Sequence, residues 1–595
     1  MALTAYAPIS IPHALCWLAM RSAVLAHAET PHRGALYRRS VISIQSYTDG
    51  PFWSQSMALR QDLRAMSPSP AEPGPIASVR IPLGFPRDFI ASSVPATAAP
   101  ARMRRFVQLT RSNPTYHVRT LGCRVNHAES REIEGLLQAR GFEPAPASQI
   151  ADMEIVHTCA VTTQAAAKSR HAIRRASRGD ETRTPTVLVT GCLVSADPQQ
   201  AASLCGGEEN AISHRDHDHR TMIERLAVRV DRWLVDRGDT PLPAPPIADQ
   251  RSEDGLRILP VLAPPIPGRH ARAEVRIQDG CDAHCTFCII PSLRPTLRSK
   301  PPELVVEEVR RLVELGHREI VLTGIFLGAY GHETALRRKQ RHPQSEPLAD
   351  LLDAVAAVDG LARVRLSSME PGDVTEPLLD AMIANRPVVV PHLHLPLQSG
   401  SNAMLHRMNR QYRVEDYQDM IQKVNEAFTD EVGLPPAITT DIICGFPGET
   451  EDDFARTVEV AEASAFLHMH VFPFSPRSGT AAARWTDRFV PDAVVRRRVR
   501  HLIDLEEDPI DGLSMRWRRQ LLGRSVRVLL ESEDEDGFMT GRCDHYARVH
   551  VPTRRRRHET VHVRITHVSS NRTSGRVLEL DHPLKVLETK MEATR

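Results

Sequence analysis

The stretch "GCDAHCTFCII", residues 280–290, places Cys281, Cys285 and Cys288 in a CxxxCxxC pattern. A structural zinc takes four ligands, typically from two close pairs. Only one CxxC stands here, and no second pair follows it. His284 lies between two of the thiols, where reaching the same ion would strain the loop. A disulfide framework does not fit ten cysteines scattered over 595 residues. A redox CxxC formed by Cys285 and Cys288 leaves Cys281 without a task. Three thiolates suit an iron–sulfur cluster with one iron left open, where a small molecule can chelate. Zinc remains the alternative at this point.

Working outward, residues 274 onward alternate strand-like runs ("EVRIQ", "REIVLTGI", "ARVRLSS", "HLHLPLQ", "AITTDIICGF", "HMHVFPFS") with helix-like ones such as "PELVVEEVRRLVELG". Six β/α repeats over 273–490 predict a partial TIM-like (β/α)6 barrel, whose active site belongs on the loops after the strands. The triple-cysteine loop follows the first strand.

Before it, residues 113–205 read as an α/β domain with a parallel sheet. "YHVRTLG", "DMEIVHT" and "PTVLVTG" read as strands, and "ESREIEGLLQARG" as a helix closed by Gly141. Cys123, Cys159 and Cys192 each follow one of these strands, where ligands gather in open α/β sheets. A lone cysteine is more often a small buried hydrophobe; three at equivalent positions suggest a second three-thiolate site. Cys16, Cys205, Cys444 and Cys543 read as ordinary cysteines.

Residues 206–272 read as an insertion or linker around an amphipathic helix with Met222, Leu226, Val230, Trp233 and Leu234 on one face. Its "HRDHDH" run has metal-ligand side chains but nothing that fixes their geometry, so a solvated loop is expected. Residues 1–112 hold no sustained period and read as a disordered extension or a start placed too far upstream, with Met103 as an alternative start; an Arg-rich, acid-poor segment also has the composition of a transit peptide. A connecting helix is expected over 491–520, and a small all-β barrel over 521–595. The net charge of +2 calls for no general affinity for nucleic acid, so an RNA surface must be local. No run of about 20 apolar residues is present, so no membrane span is expected. Sparse cysteines with iron–sulfur chemistry fit a reducing, cytoplasmic setting.

From about residue 115 to the C-terminus the chain resembles the radical S-adenosylmethionine (SAM) methylthiotransferases. "TLGCRVNHAES", "VHTCAVT" and "VTGCL" resemble the family's three N-terminal cysteine motifs, and "IQDGCDAHCTFCIIP" its SAM loop. "HLHLPLQSGSNAMLHRMNR", "TTDIICGFPGETEDDF" and "FPFSPRSGTAA" look like its later barrel motifs, and the C-terminal region like a TRAM domain, a small RNA-binding barrel. The resemblance implies SAM and two [4Fe-4S] clusters as cofactors, held by Cys281, Cys285 and Cys288 and by Cys123, Cys159 and Cys192. It implies tRNA as a partner, with an electron donor and a sulfur donor whose identities stay open. The SAM loop would generate a radical that takes hydrogen from an unactivated carbon, and the second cluster would present the sulfur.

"LGCRVN" resembles the enzymes acting on N6-threonylcarbamoyladenosine beside the anticodon. The isopentenyladenosine enzymes usually have Met where Val125 stands, and those acting on a ribosomal-protein aspartate a Pro-Lys pair before the Asn. A non-catalytic iron–sulfur or zinc RNA-binding protein is the alternative of a different class. Two departures from the family pattern are Pro295, where Gly is expected, and His157, where Asn is expected. Thr323, Gly324, Gln398, Ser399, Asp441 and Gly445, at strand ends, are candidate SAM contacts. Arg554, Arg555, Arg556 and Arg557 are candidate phosphate contacts. Arg477 and Arg413 are candidates for the substrate's carboxylate, since a buried charge needs a partner.

Overall fold

The computed structural model describes residues 113–179, 184–214, 222–240, 271–337, 346–429 and 433–578. All fall within the compact unit Leu109–Arg595. Residues 1–112, most of the "HRDHDH" run and the proline-rich stretch after it lie outside the described residues.

The N-terminal layer is a parallel sheet of β1 (Thr115–Thr120), β2 (Glu143–Pro144), β3 (Met153–Thr158), β4 (Thr186–Gly191) and β5 (Ala211–Ile212), ordered β2-β1-β3-β4-β5. Every residue of β3 is buried, as a strand covered by helices on both faces requires. Helix Arg124–Ala139 covers one face with Ile133, Leu136 and Leu137. Part of the segment expected to be an insertion belongs to this layer. Helix Met222–Arg237 buries Met222, Leu226, Val230 and Leu234 against Ile133, Met153 and Ile155, and Asp231 pairs with Arg140.

The central unit carries β6 (Arg272–Asp279), β8 (Glu319–Gly324), β9 (Arg363–Leu366), β10 (His392–His394), β11 (Ala437–Cys444) and β12 (His468–Pro473), in parallel and in chain order. A short β7 (Arg298–Ser299) runs antiparallel on the edge of β6. Between β9 and β10 the sheet is held only by the isolated bridges Val364↔Val389 and Ser368↔His394 among the described residues. The result is an open six-stranded (β/α) barrel, as expected. "HLHLPLQ" contributes only three strand residues, because the Leu397 N–H goes to Thr440 Oγ1 instead of a backbone carbonyl.

The expected connecting helix is two helices, Asp492–Glu507 and Leu513–Arg519. Asp508 precedes Pro509 and takes φ −48°, ψ 125°, the extended form a following proline imposes. The chain then closes a barrel of β13 (Ser525–Glu533), β14 (Met539–Cys543), β15 (Arg548–Val551), β16 (Thr560–Val568) and β17 (Thr573–Val577), in the order β13-β14-β15-β17-β16.

This small barrel seats on the N-terminal ends of the central strands. Buried Glu319 pairs with Arg272, Arg363 and Arg365, and Arg365 also donates to the carbonyls of Cys543 and Asp544. Burial alone would raise the Glu319 pKa; Arg365, Arg272 and Arg363 bring it down to about 2. The C-terminal strand ends are left for the site.

Candidate functional site

Cys159 and Cys192 immediately follow β3 and β4, and Cys123 comes three residues after the end of β1, so adjacency of these strands in the sheet brings the three loops together. Two glycines let the loops approach. Gly122 sits at φ +106°, and a Cβ there would come 2.7 Å from Cys159 Cβ; Gly191 sits at φ +98°, and a Cβ there would come 2.4 Å from the Thr158 carbonyl. Asn126 Nδ2 donates to the carbonyls of Leu121 and Thr158, tying the first loop to the second. The Thr158 hydroxyl donates to the Thr190 carbonyl and accepts from the Leu193 N–H, tying the second to the third.

The loop of Cys281, Cys285 and Cys288 leaves β6 at Gly280, where a Cβ would come 2.0 Å from the Thr296 carbonyl. Gln278 anchors its start, donating to the carbonyls of Asp279 and Gly280 and accepting from the Phe326 N–H. The far side of the loop hangs on the end of the helix Asn402–Arg407: Thr286 N–H donates to the Met408 carbonyl and Asn409 Nδ2 to the His284 carbonyl. Arg410 Nη1 donates to Cys285 Sγ at 3.3 Å while its Nη2 pairs with Glu370 at 2.8 Å.

Burial pushes the Cys192 and Cys288 thiols up to about 12 and raises those of Cys159, Cys281 and Cys285. Thiols of the same triad add to the rise, so each triad senses itself as a group. Grouped buried thiols ionise together only against a bound cation, which is what a metal cluster supplies. A tetrahedral zinc would draw thiolates to about 4 Å apart. The groups of His, Cys, Asp and Glu whose ligand atoms converge within 4.8 Å include neither triad among the described residues.

Arg294 stands between the triads. Its carbonyl accepts the Cys281 N–H, and its charge opposes the rise at Cys192. The guanidinium donates to both oxygens of Glu129 and to Asp279, and Arg276 donates to Glu129 and Glu132. Burial alone would raise the Glu129 pKa; Arg294 and Arg276 hold it well below the carboxylate range. His157 joins this group, with Nδ1 3.0 Å from Ser130 Oγ and Nε2 3.2 Å from Glu129 Oε2. A side chain longer than the expected Asn thus reaches a carboxylate that binds the two layers together. Pro295, the other departure, is exposed.

The remaining expectations divide. Gly324 ends β8 against Gln278, where a Cβ would come 2.9 Å from the Gln278 Cβ, and Thr323 beside it is buried. Gln398, at φ +62°, donates its N–H to the Asp441 carbonyl and accepts from Ile443. Asp441 faces the barrel interior beside His394. Ser399 does not face the barrel mouth: it is fully buried, with Oγ accepting from the Ser401 N–H and 3.4 Å from Thr457 Oγ1. Gly445 gives its N–H to Glu449, and a Cβ there would come 2.3 Å from Val495, so this glycine serves the turn. Arg554, Arg555, Arg556 and Arg557 are exposed between β15 and β16. Arg477 is half-buried, and Cys159 senses its charge. Arg413 is exposed and occupied as a helix cap, its N–H donating to Asp416.

Open barrel, triple-cysteine loop and neighbouring strand-end triad together define a radical SAM enzyme. The family description "Radical SAM superfamily" matches residues 275–461 and "Uncharacterized protein family UPF0004" residues 115–209. The chain is 34% identical over 431 residues to threonylcarbamoyladenosine tRNA methylthiotransferase MtaB of Bacillus subtilis (strain 168), covering 72% of this chain and 88% of that one. It is 36% identical over 451 residues to tRNA-2-methylthio-N(6)-dimethylallyladenosine synthase of Parafrankia sp. (strain EAN1pec), covering 73% and 82%. Among solved structures, the radical SAM methyltransferase TsrM from Kitasatospora setae matches with TM-score 0.43 and 14% identity over 63% of this chain and 74% of that one. The chain belongs to the radical SAM tRNA methylthiotransferases. The family's chemistry uses a [4Fe-4S] cluster and SAM. Among the described residues no helix is long and apolar enough to cross a membrane.

Proposed function

We propose that this enzyme places a methylthio group on carbon 2 of N6-threonylcarbamoyladenosine, just 3′ of the tRNA anticodon. Cys281, Cys285 and Cys288 hold the cluster that binds SAM, and Cys123, Cys159 and Cys192 hold a second cluster. The groups, when bound, supply radical hydrogen abstraction and sulfur. The chain's own part is to aim them. Arg410 donates to one thiol ligand, and Arg294 spaces the triads. Electrons and replacement sulfur come from donors outside the chain, in a reducing cytoplasm.

The observation carrying the substrate is Arg477. Its guanidinium stands beside Cys159, is partly desolvated, and its Nε has no hydrogen-bond partner among the described residues. A threonylcarbamoyl group brings a carboxylate that matches it, whereas an isopentenyl group is apolar and would leave it unpaired. "LGCRVN" around Cys123 supports the same choice. An unpaired anticodon-loop base is also reached with little unstacking. Exposed Arg554, Arg555, Arg556 and Arg557 bind tRNA phosphates. The test gives the reconstituted enzyme matched tRNAs carrying either modification. Turnover of the threonylcarbamoyl form is expected; turnover of only the isopentenyl form, or of a ribosomal protein, refutes the assignment.

A further inference from the structure

The inward face of β10, β11 and β12 carries His394, Asp441 and His470. Strand register puts His394 beside Thr439 and Asp441 beside His470. Side chains alternate along a strand, and Thr440 and Ile442 turn the other way into the helical layer. One ligand atom from each of His394, Asp441 and His470 lies within 4.8 Å of the other two. The His394 ring is already oriented: Nδ1 lies 2.9 Å from Thr439 Oγ1, leaving Nε2 toward Asp441 at 3.4 Å. Such a hydrogen bond on the far nitrogen is how metal-binding imidazoles are held.

A second group of the same composition, Glu129 with His157 and His214, serves as a comparison. Its carboxylate already accepts from Arg276 at 2.8 Å and Arg294 at 2.7 Å, so a cation would have no charge left to neutralise. Asp441 pairs with no arginine or lysine among the described residues; its one ion-pair partner there is His394.

We propose that His394, Asp441 and His470 bind one divalent first-row transition metal, zinc above all, on the inner wall of the barrel. Two imidazoles and one carboxylate from three adjacent strands occupy one face of the ion. The remaining positions point into the cavity and take an anionic oxygen of the bound nucleotide. If the substrate is as proposed above, that oxygen belongs to the threonylcarbamoyl carboxylate. This last step rests on that reading, whereas metal binding does not.

The test is equilibrium dialysis of the iron-loaded holoenzyme against zinc ions, without tRNA. One zinc per chain is expected, with affinity falling about tenfold or more in His394→Ala/His470→Ala and in Asp441→Asn. His157→Asn, in the comparison group, should bind zinc as the wild type does. If the double variant loses its iron, the nearly isosteric Asp441→Asn decides. Absence of a saturable zinc site in the wild type overturns the proposal, as does equal binding in Asp441→Asn.

Discussion

Glu129 shows how single residues hold the site together. It accepts from Arg276 and Arg294, which belong to the other layer. Glu129→Gln leaves two buried guanidiniums short of charge, a loss of roughly 3–5 kcal/mol. Its unfolding midpoint in denaturant should fall well below that of the wild type, and an unchanged midpoint would contradict this role. His214 faces Glu129, Asp279, Arg294 and Ser195 in the same group. Burial lowers its pKa to about 4, with Arg294 adding and Glu129 opposing. The unfolded histidine titrates near 6.5, so the unfolded chain binds a proton first as the pH falls. Stability from this group is intact above about pH 6.5 and is lost as the pH falls toward about 4. In His214→Gln the slope of stability against pH across that window should flatten, as followed by denaturant unfolding. At this scale the thiols were legible, because CxxxCxxC is local. Arg410 and Arg294 were not: their partners Cys285 and Glu129 lie 125 and 165 residues away in sequence.

Elements position the thiols through their ends. Cys123, Cys159 and Cys192 meet because β1, β3 and β4 are neighbours, and because Gly122 and Gly191 let the loops close. Gly122→Ala adds a Cβ at 2.7 Å from Cys159 Cβ with φ at +106°, so the first two loops must separate. Iron bound after reconstitution should fall toward half, with SAM cleavage retained; full iron would mean the loops do not need this contact. Strand and helix periods were legible for β1, β3, β4 and the central barrel. The place of helix Met222–Arg237 was not, since an amphipathic face does not say which sheet it covers. β14 carries no strand-like run in the sequence, because its middle residue is Gly541, a poor strand former. A Cβ there would come 1.9 Å from the Leu529 carbonyl, so close backbone packing requires it.

Across the molecule, the C-terminal barrel is joined to both other layers by Tyr546. Its ring stacks on His392 at 4.1 Å and its hydroxyl accepts from Arg124, the residue after Cys123. The small barrel is therefore held in fixed relation to the triads, and on the proposed reading so is the RNA it binds. Replacing Arg554, Arg555, Arg556 and Arg557 with Ala should weaken tRNA binding and flatten its salt dependence, because fewer counterions are released. SAM cleavage without RNA should be unchanged. An unaltered salt slope would mean that the run only faces solvent.

The most direct test of the central claim, that two separate triads each hold a cluster, is iron content per chain after anaerobic reconstitution. The wild type should hold about eight irons, four per cluster. Replacing Cys281, Cys285 and Cys288 with Ala should leave about four and abolish SAM cleavage. Replacing Cys123, Cys159 and Cys192 should also leave about four, with SAM cleavage retained. Full iron in either triple variant would contradict the account.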